Sequence, residues 1–165
     1  INLADNFAFT GTVSGAGEKN LPYFEASTTG LQAISQNTIT KLTFGTENQD
    51  SAGNFASDRW TPQIAGKYFC YARATTDPSN YNNGRDSDLK FYKNGSAESS
   101  YFSNFMVGNL TTSTGSTAIT HNLAGIITFN GSSDYLEVYG RLFCHSGSGA
   151  QFGKKLFGAF LVSTT

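Results

Sequence analysis

The sequence predicts an all-β protein, a two-sheet jelly-roll sandwich, on three observations. Its 165 residues suit one domain and are too few for two well-built ones. It contains 14 Phe and 8 Tyr, whose rings fill the space between packed sheets. From residue 21 onward, short runs of Phe, Tyr, Ile, Val and Thr alternate with clusters of Gly, Asn, Asp and Ser, which is typical of strands joined by loops.

Eight candidate strands follow from these runs, and eight is the number in a jelly roll. They are Tyr23 to Ala26, Ile39 to Thr46, Gly66 to Thr75, Ser87 to Tyr92, Tyr101 to Val107, Ala118 to Phe129, Tyr135 to Cys144 and Leu156 to Val162. The last run is apolar on both faces, as expected of a central strand that is covered on both sides. In the seventh run, Leu136 and Val138 alternate with Glu137 and with tyrosines, which predicts one core face and one exposed or interface face.

Two Asn-Gly pairs predict β-hairpins, because both residues accept a positive φ. Asn94-Gly95 follows one candidate strand and Asn130-Gly131 follows another. Before the strands, residues 1–20 are small and rich in glycine. They predict an extended strap leading into a domain at residues 21–165, with Phe7, Phe9 and Val13 docked on a neighbouring surface. A partly disordered tail is the alternative interpretation.

The charge pattern narrows the classes of partner. Only 14% of the residues are charged and the net charge is −1, so no basic field exists for phosphate backbones and we expect no nucleic acid partner. No apolar run approaches the roughly 20 residues that cross a bilayer, so we expect no membrane insertion. A polar surface with few charges suits dense assemblies and extracellular or particle-bound proteins.

Residues that could carry chemistry are few. Cys70 and Cys144 each lie in an aromatic stretch and are expected to be small buried apolar residues, although a bridge between them stays open. His121 and His145 come with no nucleophile motif. Cys144 and His145 are neighbours on a strand, so their side chains point to opposite faces and cannot act together. We expect no catalytic residue and no cofactor.

The stretch from Thr75 to Ser87 is the candidate recognition loop. Its tyrosine, amides and guanidinium suit contacts with a sugar or a protein surface. Ordinary loop composition explains the same residues about as well. The residues concerned are Asn80, Tyr81, Asn82, Asn83 and Arg85. Asp86 and Asp88, with Asp77 upstream, are candidates for calcium binding through carboxylate oxygens. The alternative is a solvated loop in which Arg85 pairs locally.

A family resemblance is carried by spaced aromatic residues between Phe44 and Tyr71. The pattern reads Phe44, Asp50, Gly53-Asn54-Phe55, Trp60, Pro62 and Ala65-Gly66-Lys67-Tyr68. It resembles the signature of the C1q globular domain, a relative of the tumour necrosis factor jelly roll. Two later segments are also similar to that family, namely Tyr92-Lys93-Asn94-Gly95-Ser96 and Phe157-Gly158-Ala159-Phe160-Leu161-Val162. The chain departs from the pattern at Cys70, where the family prefers an aromatic residue, and in the short spacing from Phe55 to Trp60.

The resemblance implies a ten-stranded sandwich that assembles as a threefold bell. A trimer would also explain the apolar surplus, because subunit contacts bury aromatic faces that a monomer would expose. The expected interface residues are Tyr68, Tyr92, Tyr135, Tyr139, Phe157 and Phe160.

Two functions fit these observations, and neither is enzymatic. Residues 3–13 are similar to segments that precede C-terminal domains in bacteriophage tail-fibre and other virion proteins. This likeness favours a homotrimeric virion protein, a fibre tip or capsid-surface fibre, whose partners are other virion proteins and a host cell-surface protein or glycan. The alternative is a secreted ligand or recognition module of the same jelly-roll family.

Overall fold

The computed structural model describes residues 21–77, 84–106, 118–144 and 150–164. Within these ranges the chain forms twelve strands and no helix. The strands are β1 (Tyr23–Thr28), β2 (Gln32–Ile34), β3 (Thr40–Lys41), β4 (Thr46–Asp50), β5 (Phe55–Ala56), β6 (Arg59–Trp60), β7 (Gly66–Thr76), β8 (Gly84–Lys93), β9 (Ser96–Met106), β10 (Thr120–Phe129), β11 (Leu136–Cys144) and β12 (Ala150–Thr164). The described residues therefore offer no helix that could span a membrane.

The strands form two antiparallel sheets of six strands each. Sheet 1 has the order β10-β7-β12-β1-β4, and β2 also pairs with β12. Sheet 2 has the order β5-β6-β11-β8-β9, and β3 also pairs with β11. Neighbouring strands in each sheet are mostly distant in sequence, as in a jelly roll, so the predicted two-sheet all-β fold is confirmed.

Period-2 alternation places the core between the two sheets. Along β7, every second residue from Gly66 is buried, and along β12 Phe157, Ala159 and Leu161 point inward. The centre of the core is aromatic: the ring of Phe24 lies 4.8 Å from the ring of Trp60 and 4.8 Å from that of Phe157, centroid to centroid. Such ring contacts add to the free energy gained by burying apolar area.

The Asn94-Gly95 pair forms the predicted hairpin. Both residues have positive φ, 52° and 79°, and they join β8 to its antiparallel partner β9. This is the conformation that a two-residue turn needs to match the twist of the flanking strands.

Two sequence predictions about strands are wrong. The candidate strand Ile39 to Thr46 is divided, because β3 pairs with β11 in sheet 2 whereas β4 pairs with β1 in sheet 1. Between them, Leu42 and Phe44 are buried in the core as the chain crosses from one sheet to the other. The second Asn-Gly pair, Asn130-Gly131, also crosses between sheets and does not form a hairpin, because β10 pairs with β7 and β11 pairs with β8.

Candidate functional site

The outer face of sheet 1 carries an exposed apolar row. Tyr23, Phe160, Phe69 and Ile126 occupy neighbouring register positions on β1, β12, β7 and β10. Phe69 and Phe160 are in ring contact, with centroids 5.3 Å apart. Tyr23 and Phe160 are each 46% exposed and Ile126 is 50% exposed. Four adjacent strands thus present one continuous apolar stripe, and such patches on a soluble protein mark binding surfaces.

A polar contact borders the apolar row. The Tyr71 hydroxyl donates to Glu25 Oε2 over 2.9 Å, and Asn48 Nδ2 donates to Glu25 Oε1 over 3.0 Å. Burial and the neighbouring Glu25 carboxylate raise the pKa of Tyr71 to about 12, so the phenol keeps its proton. Gly158 lies between Tyr71 and Glu25 in the strand register, and a Cβ there would come within 2.4 Å of the Tyr71 hydroxyl oxygen. The glycine makes room for the tyrosine ring.

A shallow depression of about 380 Å³ lies next to this contact on the same face of sheet 1. It is lined mainly by outward side chains of β7, β10 and β12, including Tyr71, Arg73, Asn122 and Leu156. The outer face of sheet 1 therefore combines a protruding apolar row with an adjacent hollow.

The outer face of sheet 2 has a different chemistry, in which a buried carboxylate holds two cations. Glu137 Oε1 accepts hydrogen bonds from Lys41 Nζ at 3.2 Å and from Arg59 Nε at 3.0 Å. The Tyr139 hydroxyl donates to Glu137 Oε2 over 3.3 Å, and the pKa of Tyr139 is raised by burial and by this carboxylate. The Arg59 guanidinium lies 3.7 Å from the centroid of the Tyr135 ring, a cation–π contact.

The aspartates predicted as calcium ligands belong to an ion-pair network on the same face. Arg141 Nε donates to Asp88 Oδ2 over 2.7 Å, and its Nη2 donates to Asp86. The Asn104 amide donates to the remaining oxygen of each aspartate. Burial opposes ionisation of Asp88, but these bonds hold its pKa below the ordinary range.

This geometry corrects the calcium interpretation. All four oxygens of Asp86 and Asp88 already accept a bond from a neighbouring side chain, so a metal ion would have to displace Arg141. The two aspartates also lie in β8 and not in a loop. In the described part of the chain, no group of three or more metal-ligating side chains comes together.

His121 lies inside the sandwich, hydrogen-bonded to two serines. Its Nε2 is 2.8 Å from Ser87 Oγ and its Nδ1 is 3.0 Å from Ser103 Oγ. A serine that is hydrogen-bonded to a histidine has the arrangement of a catalytic nucleophile and its base. However, Ser87 is fully buried and His121 is 2% exposed, so no substrate can reach the pair. These bonds join the sheets, since His121 is in β10 whereas Ser87 and Ser103 are in β8 and β9.

The expected interface residues are not brought together. Tyr68 and Phe157 are fully buried in the core of their own chain, so the expectation that they contact another subunit is corrected. Both side chains have the inward parity of their strands. Phe160 lies on the outer face of sheet 1. The remaining three lie on the outer face of sheet 2, on the opposite side of the sandwich: Tyr92, Tyr135 and Tyr139.

Other sequence predictions fall partly outside the described residues. Asn80, Tyr81, Asn82 and Asn83 of the recognition loop are outside them, and Arg85 is described only as the second residue of β8. The strap at residues 1–20 and His145 are also outside them. Cys70 is a free, fully buried core residue as predicted, and burial raises the pKa of its thiol. Cys144 is the last residue of β11.

Solved structures with the same fold include two kinds of protein. The chain is similar to the globular domain of zebrafish complement 1qA protein, with a TM-score of 0.58 and 12% identity over 88% of this chain and 100% of that chain. It is similar to murine APRIL at pH 8.5, with a TM-score of 0.58 and 11% identity over 87% of this chain and 100% of that one. No family model matches the sequence, and no curated protein does. The likeness confirms the C1q-like and tumour necrosis factor-like jelly-roll fold.

Proposed function

We propose that the chain is a non-enzymatic recognition module that works as a homotrimer, with the outer face of sheet 1 covered by other copies of itself. The observation that carries this proposal is the apolar row of Tyr23, Phe160, Phe69 and Ile126, in which Phe69 is partly buried and the other three are about half exposed. Burying apolar surface releases about 25 cal/mol per Å². Association through this face therefore has a driving force.

The contrast between the two outer faces supports the choice of sheet 1. The outer face of sheet 2 carries ion pairs of Glu137, Asp86 and Asp88 with lysines and arginines. Desolvating such pairs is unfavourable, whereas desolvating the apolar row is favourable. A chain that used opposite faces for one head-to-tail contact would also tend to form open filaments and not a closed ring.

A pair of matched variants tests the trimer interface. Phe160→Asp places a carboxylate in the apolar row, so we expect light scattering after gel filtration to show a single chain. Leu31→Asp also introduces a carboxylate in place of an exposed apolar side chain, in the loop before β2, where Leu31 is 61% exposed. We expect this variant to stay trimeric. The interface assignment is wrong if Phe160→Asp remains folded and trimeric, or if both variants dissociate equally.

We place the trimer on a bacteriophage particle, as a fibre tip or capsid-surface fibre held by other virion proteins through the strap at residues 1–20. The low fraction of charged residues and the likeness of residues 3–13 to virion segments support this setting. Antibody against residues 21–165 should decorate intact particles in electron micrographs. Detection only in the medium of secreting cells would favour the alternative, a secreted ligand.

We place host contact in the loop that contains Asn80, Tyr81, Asn82, Asn83 and Arg85, whose aromatic ring and amides suit a cell-surface protein or glycan. Tyr81→Ala should weaken adsorption to host cells while the melting temperature stays within about 1 °C of the parent, because a surface substitution changes stability little. Unchanged adsorption would remove this loop from the recognition surface.

A further inference from the structure

A cluster on the outer face of sheet 2 has more positive than negative charge. Two cations, Lys41 and Arg59, share the single buried carboxylate of Glu137, so the cluster has a formal excess of one positive charge. The Glu137 side chain is 3% exposed, whereas those of Lys41 and Arg59 are 32% and 44% exposed. An approaching ligand therefore meets the cations and not the carboxylate beneath them.

Arg59 is held in one orientation with its far end unoccupied. Its Nε bonds to Glu137, and its plane lies against the Tyr135 ring at 3.7 Å. Within the described ranges, neither terminal nitrogen of Arg59 has a hydrogen-bond partner. A guanidinium offers parallel N–H groups that match the two oxygens of a carboxylate. Because its anchors already fix the side chain, binding an anion here loses little conformational entropy.

Two more tyrosines lie beside Glu137, the carboxylate that Arg59 binds: the Tyr139 hydroxyl donates to it, and Tyr92 is its register partner on β8. The rings of Tyr92 and Tyr139 are in contact, with centroids 4.1 Å apart, and both are half-buried. In the strand register, Tyr139 is flanked by Lys90 on β8 and Lys41 on β3. The Tyr139 hydroxyl is bonded to Glu137, so the pair offers apolar ring surface and the Tyr92 hydroxyl, which together suit the mixed apolar and hydroxyl surface of a sugar ring.

The charges on this face argue against a ligand with many closely spaced negative charges, such as a nucleic acid. The other bases of this face are each paired with an aspartate: Lys90 and Arg141 with Asp88, and Lys93 with Asp134. Binding a nucleic acid backbone requires several cations that can each neutralise a phosphate, and the chain has a net charge of −1. A ligand with isolated carboxylates separated by neutral rings fits the single excess charge better.

We propose that the outer face of sheet 2 binds an acidic polysaccharide, with Arg59 pairing with the carboxylate of a uronic acid unit and Tyr92 and Tyr139 contacting its neighbouring ring. The inference rests on the proposed recognition function and names a ligand class for it. Three copies in a trimer would bind one long polysaccharide with higher avidity than a single site.

Titration of the full chain with trigalacturonate tests the site by calorimetry at low salt. Arg59→Gln should weaken binding about 10- to 100-fold, since a charge-assisted hydrogen bond is lost. Lys41 still pairs with Glu137 in that variant, and an unchanged melting temperature checks that it folds. Lys154→Gln is the matched control, because it removes the same charge from an exposed position on β12 and should bind like the parent.

Competing ligands decide the class of partner. Maltotriose should not bind, and polyglutamate and a single-stranded oligonucleotide should bind more weakly than trigalacturonate. The inference is overturned if trigalacturonate does not bind, if Arg59→Gln binds as tightly as the parent, or if maltotriose, polyglutamate or the oligonucleotide binds as well as the acidic sugar. A trimer without this binding contradicts the inference alone, whereas a monomer that binds contradicts only the proposed assembly.

Discussion

The buried side chain of His121 connects the two sheets through its bonds to Ser87 and Ser103. Burial lowers its pKa, although Asp88 and Asp86 act in the opposite direction. The folded chain therefore holds this imidazole in its neutral form at neutral pH. In that form one nitrogen donates to a serine hydroxyl and the other accepts from one.

Acidification should destabilise the fold through His121. Its folded pKa is below its unfolded value of 6.5, so its stabilising contribution is present above pH 6.5 and is lost as the pH falls through the folded pKa. Urea midpoints measured between pH 7.5 and pH 5 should fall more for the parent than for His121→Gln, which can still bond to both serines. Parallel curves for the two proteins would contradict this.

Lys155 is a buried cation in sheet 1, 3% exposed, whose Nζ donates to Gln32 Oε1 over 3.1 Å. Burial lowers its pKa to about 8, with Asp58 opposing the shift. Between about pH 8 and its unfolded pKa near 10.5, the unfolded chain binds more protons, so this group adds stability as the pH rises. At pH 7 the buried charge is a net cost.

Lys155→Met should therefore be at least as stable as the parent at pH 7. The advantage of the variant should shrink as the pH rises from 8 to 10, because the parent lysine then loses its charge. Gln32 Oε1 keeps its bonds from Thr43, so the substitution leaves that acceptor satisfied. Urea unfolding of the parent and the variant at pH 7, 8 and 10 checks this. A variant much less stable than the parent at pH 7 would contradict it.

The two Asn-Gly turns show which structural features depend only on residues that are near in sequence. Asn94-Gly95 and Asn130-Gly131 look alike in sequence, and both glycines have the positive φ that the sequence predicts. Only the first pair forms a hairpin. Around the second pair, Asn130 Oδ1 accepts from the amides of Ser132, Ser133 and Asp134 as the chain crosses between sheets. Turn chemistry is readable from neighbours, but the pairing of the strands that follow depends on distant residues.

Substitution of two glycines distinguishes the cost of backbone strain from the cost of steric crowding, because Gly53 and Gly131 both have positive φ but only Gly131 is crowded. At Gly53 a Cβ would meet nothing within 4 Å, whereas at Gly131 it would lie 2.2 Å from the backbone nitrogen of Ala65. Gly53→Ala should lower the free energy of unfolding by about 1 kcal/mol, the price of a left-handed residue. Gly131→Ala should lower it by about 3 kcal/mol or more, because overpacking adds to that strain. Equal losses in urea unfolding would contradict the crowding at Gly131.

Strands with strong hydrophobic signals were predictable, and polar edge strands were not. The long runs that form β7, β10 and β12 contain alternating or continuous apolar residues, and their predicted positions overlap the observed strands. β4 consists of Thr46–Asp50, five largely exposed polar residues that pair with β1 through backbone bonds and through bonds of the Asn48 side chain to Glu25 and Ser27. β2, β5 and β6 are only two or three residues long. Nothing in side-chain alternation marks such segments.

At the scale of the whole molecule, the two outer faces differ in chemistry. From the sequence we expect both Phe157 and Phe160 at a subunit interface, whereas Phe157 is buried in the core and Phe160 is exposed. Which face of such an apolar strand is inside depends on the packing of the other sheet. The cluster around Arg59 was also invisible, because its partner Glu137 is 78 residues away in sequence. The fold class could thus be predicted, whereas the sites on its faces required the structure.

In the proposed trimer, copies of this chain cover the apolar outer face of sheet 1. Sedimentation equilibrium of the unmodified chain at micromolar concentration tests it most directly. We expect a mass three times that of one chain across a tenfold range of concentration. A folded chain that sediments as a single subunit throughout that range would contradict it.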